Sequence, residues 1–246
     1  MDIRAQVWSP LQNTSIWLGA WLYGLESTDD LIDALADLGN PELTEFLREL
    51  RNTTSSLLAD SGEPVLRLVL SGPGEPIGIR ADSAAARAAS KSTAGAILIR
   101  DPDPLTTHVL VPDSVIGWQW FTETGLQPAP AWLSPGEADR LLSKATEDAA
   151  RLVEASGYRA TGLDSPRLTV GALSDFYDAP GLPGSVPPRA AKLFARADRV
   201  AAIVETVTGR MNDHQIDPQL LGLWRHIRAA RMAGVSYAVG EFGRLF

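Results

Sequence analysis

The sequence predicts an α+β fold: N-terminal helices, a central and mostly antiparallel sheet of about five strands, and a C-terminal helical region. Three observations predict it. Apolar residues recur at helical spacing up to about residue 58. Near residue 64 the period shortens to that of a strand, so that Leu66, Leu68 and Leu70 share one face. The strands that follow stand too close together for helical crossovers and should therefore pair antiparallel. The linker Gln127-Pro128-Ala129-Pro130 then separates residues 1–133, acidic helices plus sheet, from the helical residues 134–246. These are two domains or one continuous domain.

Each element has its own signal. In residues 10–25, Leu11, Thr14, Leu18, Trp21 and Leu25 make one stripe. For residues 28–38, Thr28 can cap, Asp29 and Asp30 suit the positive helix start, and Gly39 can end the helix. Asn40-Pro41-Glu42 opens another, with Leu43, Phe46, Leu47 and Leu50 on one face. Val65–Leu70, Ile77–Arg80, Ala94–Arg100, His108–Pro112 and Ile116–Thr122 read as the five strands, with an Ala-rich helix at Ser83–Ser90. Ser134-Pro135-Gly136-Glu137 is a capping box that starts a helix running to about Ser156. Leu168–Phe176 reads as one or two helical turns, ahead of a Pro/Gly loop from Asp178 to Pro188. Helices follow at Pro188–Arg210 and from Asp217 to about Met232.

Composition excludes several chemistries. The 246 residues contain no cysteine, which removes disulfides, thiolate metal sites and cysteine nucleophiles. Three histidines, at 108, 214 and 226, leave little for a histidine metal site, so no metal and no cofactor are expected. No apolar run approaches the roughly 20 residues that span a bilayer. The start Met1-Asp2-Ile3-Arg4 lacks the basic and apolar regions of a secretory signal, so the cytoplasm is the expected location. The formal net charge of −8 arises within residues 1–63, which carry 3 Arg against 11 acids; the remainder is nearly neutral. No basic excess exists to neutralise phosphates, so nucleic acid is not an expected partner.

Trp118 and Trp120, two apart in a strand, point to one face. An open face would make them a stacking platform; a closed one makes them core under a helix, with Trp17 and Trp21 as a ready cover. Arg225, His226, Arg228 and Arg231 cluster on the last helix, where they can grip an anion, form a solvated face, or dock the acidic N-terminal segment. Asp213 and His214 stand together near Asp217. That pairing is the minimum for acid–base work, and it is also how a helix junction is capped. His108 is a lone strand histidine near Asp101 and Asp103, best read as structural. Ser71-Gly72-Pro73-Gly74 matches no phosphate-loop spacing and loses donors at its prolines, so it reads as a turn. The candidate ligand-binding residues are therefore Trp118, Trp120, Arg225, Arg228, Arg231 and His214.

One stretch carries a resemblance. Val65-Leu66-Arg67-Leu68-Val69-Leu70-Ser71-Gly72-Pro73-Gly74-Glu75-Pro76, an Ala-rich helix, then Val109-Leu110-Val111-Pro112 and a tryptophan strand resemble a conserved actinobacterial protein family of unknown function. The likeness spans about residues 64–121. It implies a bacterial, cytoplasmic protein and brings no site residues. The expected function is a non-catalytic interaction or adaptor protein, with a protein partner or self-association. Binding or sensing of a small anionic metabolite is the alternative, and an acid–base enzyme ranks third.

Overall fold

Pro10, whose ring suits a first helical position, opens α1 (Pro10–Leu22). A computed structural model describes residues 9–59, 63–72, 78–92, 95–130, 132–155, 181–210 and 217–245. Helix α1 buries nearly its whole surface rather than one stripe, Gln12, Asn13, Thr14 and Ser15 included. It is central, lying against β1 (Leu66–Val69), β2 (Ala96–Arg100) and the last helix, α7 (Asp217–Leu245). Helix α2 (Thr28–Asp37) is capped by Ser27, whose Oγ accepts the Asp30 N–H at 3.1 Å. Thr28 instead accepts the indole N–H of Trp21 at 3.0 Å. The helix predicted from Pro41 divides into a 3-10 segment, Pro41–Phe46, and α3 (Leu47–Thr54).

The sheet has four strands among the described residues, not five. They run in the order β1-β2-β3-β4, every pair antiparallel, with β3 at Thr106–Asp113 and β4 at Gly117–Thr124. The missing strand is Ile77–Arg80: Gly78 and Ile79 form bends, Arg80 joins no strand, and Ile77 lies outside the described residues. Arg80 explains the difference. Its N–H goes to the Gln127 side chain at 3.0 Å rather than into a ladder. The register aligns Leu68 with Ile97, Ile97 with Leu110 and Leu110 with Trp120, one apolar row across a single face. That face packs on α1, the leucines of α3 and the end of α7. Leu98, Val109 and Phe121 lie on the opposite face, under α4 (Ala84–Lys91). Glu123, 7% exposed, fixes α4 by accepting the Ala85 N–H at 2.8 Å.

The capping box at α5 (Pro135–Ala155) forms as predicted: Ser134 Oγ accepts the Glu137 N–H at 3.2 Å, and Glu137 Oε2 accepts the Ser134 N–H at 3.0 Å. Helix α6 (Pro188–Arg210) follows. Leu142 of α5, Leu193 and Ala197 of α6, and Trp224 and Ile227 of α7 make a second core. Helix α7 does not stop near Met232 but continues to Leu245. Its later part supplies Val235, Ala238, Val239 and Phe242 to the first core, so this one helix runs through both. Small residues let its neighbours approach closely. A methyl group on Gly234 would stand 2.3 Å from the Phe194 ring, and one on Gly19 would stand 2.9 Å from Val239. Among the described residues no helix is long and apolar enough to cross a membrane. The predicted turns at Leu168–Phe176 lie outside the described residues.

Candidate binding cleft beside the last helix

The residues singled out from sequence fall into separate surroundings. Trp118 is buried in the first core at 4% exposure. Trp120 is half-buried, stacked on Phe46 with ring centroids 6.0 Å apart. The cover over this strand is thus the 3-10 segment. Trp17 and Trp21 have other partners: Trp17 Nε1 donates to the Gly181 carbonyl at 3.2 Å, and Arg51 lies 4.1 Å over the Trp21 ring.

Trp120 also meets a polar group below the sheet surface. Its Nε1–H donates to His108 Nδ1 at 3.2 Å, while His108 Nε2 lies 2.8 Å from Asp101 Oδ2. His108 is buried, and its bonds tie β3 to β4 and to the β2–β3 loop. The cluster is a structural clasp.

The arginines divide as well. Arg225 is exposed. Arg228 and Arg231 are buried, at 4% and 3% exposure. Arg231 joins Gln12 and Asp198, whereas Arg228 lies against the backbone at Gly72, where a methyl group would be 2.2 Å from its Cζ. The two Arg231 contacts go to an amide and to a carboxylate of α6, not to a carboxylate of residues 1–63. The acids of that segment, Asp29, Asp33, Asp37, Glu42, Glu45 and Glu49, face solvent. His214 and Asp213 lie outside the described residues.

An open cleft exists elsewhere, about 380 Å³ in volume. Its floor is the late part of α7, where Tyr237, Gly240 and Arg244 fall on one side at helical spacing. Gly240 keeps that floor low: a methyl group there would already touch Pro64 at 3.9 Å. Trp132 forms one wall and is 62% exposed. It sits on a linker held at both ends. Arg67 Nη1 donates to the Pro128 carbonyl at 3.2 Å, and Ser134 belongs to the capping box. Burial lowers the Arg67 pKa from the ordinary arginine value, with Glu63 opposing that shift. Tyr23 and Glu63 also line the cleft, as does Arg189 from the first turn of α6.

The cleft's charges are not all matched internally. Arg244 pairs with Glu241, and Glu63 lies 3.8 Å from Arg100. Arg189 makes no ion pair among the described residues, and its place at a helix start adds the positive end of the helix dipole. Aromatic rings beside an arginine hold an apolar group with an attached anion. Among the described residues no group of three or more His, Asp or Glu could hold a metal ion. The cleft offers a surface for binding.

Sequence reasoning passed over Trp132, Tyr237 and Arg189. One signal was present: Trp132 stands in a Pro-rich linker with no apolar stripe to join, an odd place for a large aromatic unless it is held for contact.

Comparison with known proteins gives a consistent family and no activity. A model of the Rv1486c-like protein N-terminal domain matches residues 12–132, and one of the C-terminal domain matches residues 136–232. Two curated relatives, "Uncharacterized protein Rv1486c" and "Uncharacterized protein MT1533", come from two strains of Mycobacterium tuberculosis. Each is 23% identical over an alignment covering 94% of this chain and 97% of the relative. No solved structure matches. With both domain models in sequence order and the relatives aligned over nearly their whole length, the chain belongs to the Rv1486c-like family of conserved proteins of unknown function.

Proposed function

We propose that this chain is a non-catalytic interaction protein of the cytoplasm that holds a segment of a protein partner in the cleft beside α7. One observation carries the reading: Trp132, a large aromatic at 62% exposure, walls a cleft that also holds Tyr237 and Arg189. Interface anchors are enriched in Trp, Tyr and Arg because these side chains combine large apolar area with a directed polar end. The chemistry that fits is an aromatic or aliphatic side chain against Trp132 and Tyr237, with a neighbouring carboxylate on Arg189. A volume of about 380 Å³ also falls in the range of small-ligand pockets, which supports a small anionic metabolite as the second reading.

The test places a photo-reactive residue at position 132 and, as control, at the exposed Leu152 on α5. Illumination in cells should give a discrete protein adduct at 132 that is absent at 152 and is lost on Arg189→Glu. Identical adduct patterns at the two positions would reject the cleft as the contact. Thermal-shift measurements with a panel of carboxylates and phosphates test the second reading, for which stabilisation must also depend on Arg189.

A further inference from the structure

The sheet of the described residues ends on an unpaired strand. Strand β4 is the last of the four, with β3 on one side and no strand on the other among the described residues. Which of its backbone groups face outward follows from the ladder. The Gly125 N–H bonds to the Leu105 carbonyl at 2.6 Å, so odd-numbered residues of β4 turn their polar groups toward β3. Pro112, which has no N–H, pairs with Trp118 and agrees with that alternation. The even residues Trp120 and Thr122 therefore aim their N–H and C=O groups away from the sheet.

Exposed edges are usually blunted by lysine, proline, a bulge or an inward charge. Strand β4 has no lysine, proline or bulge, and its one inward charge, Glu123, is neutralised as an obstacle by capping α4, so the outer edge itself carries no charge. Thr122 and Thr124 are exposed, and a groove of about 1250 Å³ lined by Glu42, Gly117, Gln119 and Phe121 leaves the first half of the strand approachable.

We infer that β4 pairs antiparallel with β4 of a second copy about a two-fold axis at Phe121, extending the sheet across the dimer. In that register Trp120 and Thr122 exchange N–H···O bonds with Thr122 and Trp120 of the other copy. The ends of the strand are complementary in the same register. Ile116, 61% exposed, meets Leu126, 75% exposed. Gly117 meets Gly125. The charges beside those glycines are opposite: Glu42 Cδ lies 2.9 Å from where a Gly117 methyl would stand, and Arg80 Nη1 lies 2.7 Å from the corresponding point at Gly125. Pairing thus brings Glu42 of each copy to Arg80 of the other, alongside the Asp82 that Arg80 already holds at 2.9 Å. An isologous contact needs one patch that complements itself, and these residues supply it.

Two variants of the full chain test this by light scattering coupled to gel filtration, over a concentration series. The wild type should run at twice the 26.4 kDa chain mass. Thr122→Pro should halve that mass while circular dichroism and the melting curve stay those of a folded protein, because the lost N–H faces away from β3. Phe121→Cys places the only thiols of the assembly opposite each other at the axis, at a spacing a disulfide can span. Mild oxidation should give a covalent dimer, and this second variant decides the matter if Thr122→Pro does not fold. A wild type that stays monomeric at every concentration overturns the inference. So does a dimer that keeps its mass in folded Thr122→Pro, or in which Phe121→Cys does not cross-link.

Discussion

Arg231 and Gln12, separated by 219 residues in the chain, are bonded in the interior: Arg231 Nη1 donates to Gln12 Oε1 at 2.9 Å. Arg231 Nη2 also stands 2.5 Å from Asp198 Oδ1. One guanidinium thereby ties α1, α6 and α7 together. Removing one member of a buried ion pair typically costs about 3–5 kcal/mol, because the desolvated opposite charge stays behind. Arg231→Ala should lower the unfolding free energy measured by urea denaturation by that order. The double variant Arg231→Met with Asp198→Leu should lose much less than the single one, since both charges leave together. Equal losses would mean that the ion pair is not what holds the three helices.

The clasp at His108 fixes a tautomer. An indole N–H only donates, so His108 Nδ1, 3.2 Å from Trp120 Nε1, must accept. Neutral His108 therefore carries its proton on Nε2, facing Asp101 Oδ2 at 2.8 Å. Imidazole nitrogen and carbon chemical shifts should report the Nε2–H form. Trp120→Phe, which keeps the ring on Phe46 and deletes the donor, should cost about 1 kcal/mol and leave the Nε2–H form in place, because the Asp101 carboxylate still accepts from Nε2 and Thr122 Oγ1 also lies 3.0 Å from Nδ1. An Nδ1–H imidazole in the wild type would contradict this geometry.

How far the sequence reveals such features depends on how local their causes are. The strands were legible because alternation and tight spacing are local: Ala94–Arg100 and His108–Pro112 were read within two residues of β2 and β3. Of the return strand expected at Ile77–Arg80, Gly78–Arg80 joins no ladder: the Arg80 N–H bonds to the Gln127 side chain, and its guanidinium bonds to Asp82 and to the Thr124 carbonyl. The end of α7 was unreadable for another reason. Three glycines and two valines between Ala233 and Gly243 weaken intrinsic helicity. Packing against α1 and Phe194 overrides that weakness and uses the same glycines for close approach. Asp101 near His108 could be noticed because seven residues separate them. The Arg231–Gln12 bond and the meeting of Tyr23, Trp132 and Tyr237 are products of tertiary assembly. No period in the chain encodes them.

Gly95 illustrates a constraint that is backbone rather than side chain. It enters β2 at φ +111°, and a methyl group there would lie 2.1 Å from the Val69 carbonyl oxygen, which belongs to the paired strand and cannot move aside. Gly95→Ala should cost about 2–4 kcal/mol, strain and overlap combined. Gly24 also has positive φ, +69°, yet nothing lies within 4 Å of its methyl position. Gly24→Ala should cost only about 1–2 kcal/mol, the conformational part alone. Thermal melts of the two variants separate the terms; equal shifts would remove the role assigned to the Val69 carbonyl.

The capping box gives a pH dependence with a definite sign. The Ser134 hydroxyl, and then its backbone N–H, hold the Glu137 carboxyl below its ordinary range. A carboxylate depressed in the folded state contributes stability that is fully present above its unfolded pKa, about 4.3, and fades as pH falls through the lower folded value. Melting temperature should therefore drop on the acid side of about pH 4.3 in the wild type, and Glu137→Gln should flatten part of that drop. It flattens only part because Asp103 and Asp113 are depressed too, by the backbone amides of Leu105 and of Val115 and Ile116. Ser134→Ala should remove the cap itself, about 1 kcal/mol, and with it the larger part of Glu137's share of the pH dependence, while the backbone N–H of residue 134 and the charge of Arg140 keep the rest. Glu137→Gln should then flatten the acid limb less in the Ser134→Ala background than in the wild type. Equal flattening in the two backgrounds would mean that the Ser134 hydroxyl is not the main cause of the depression.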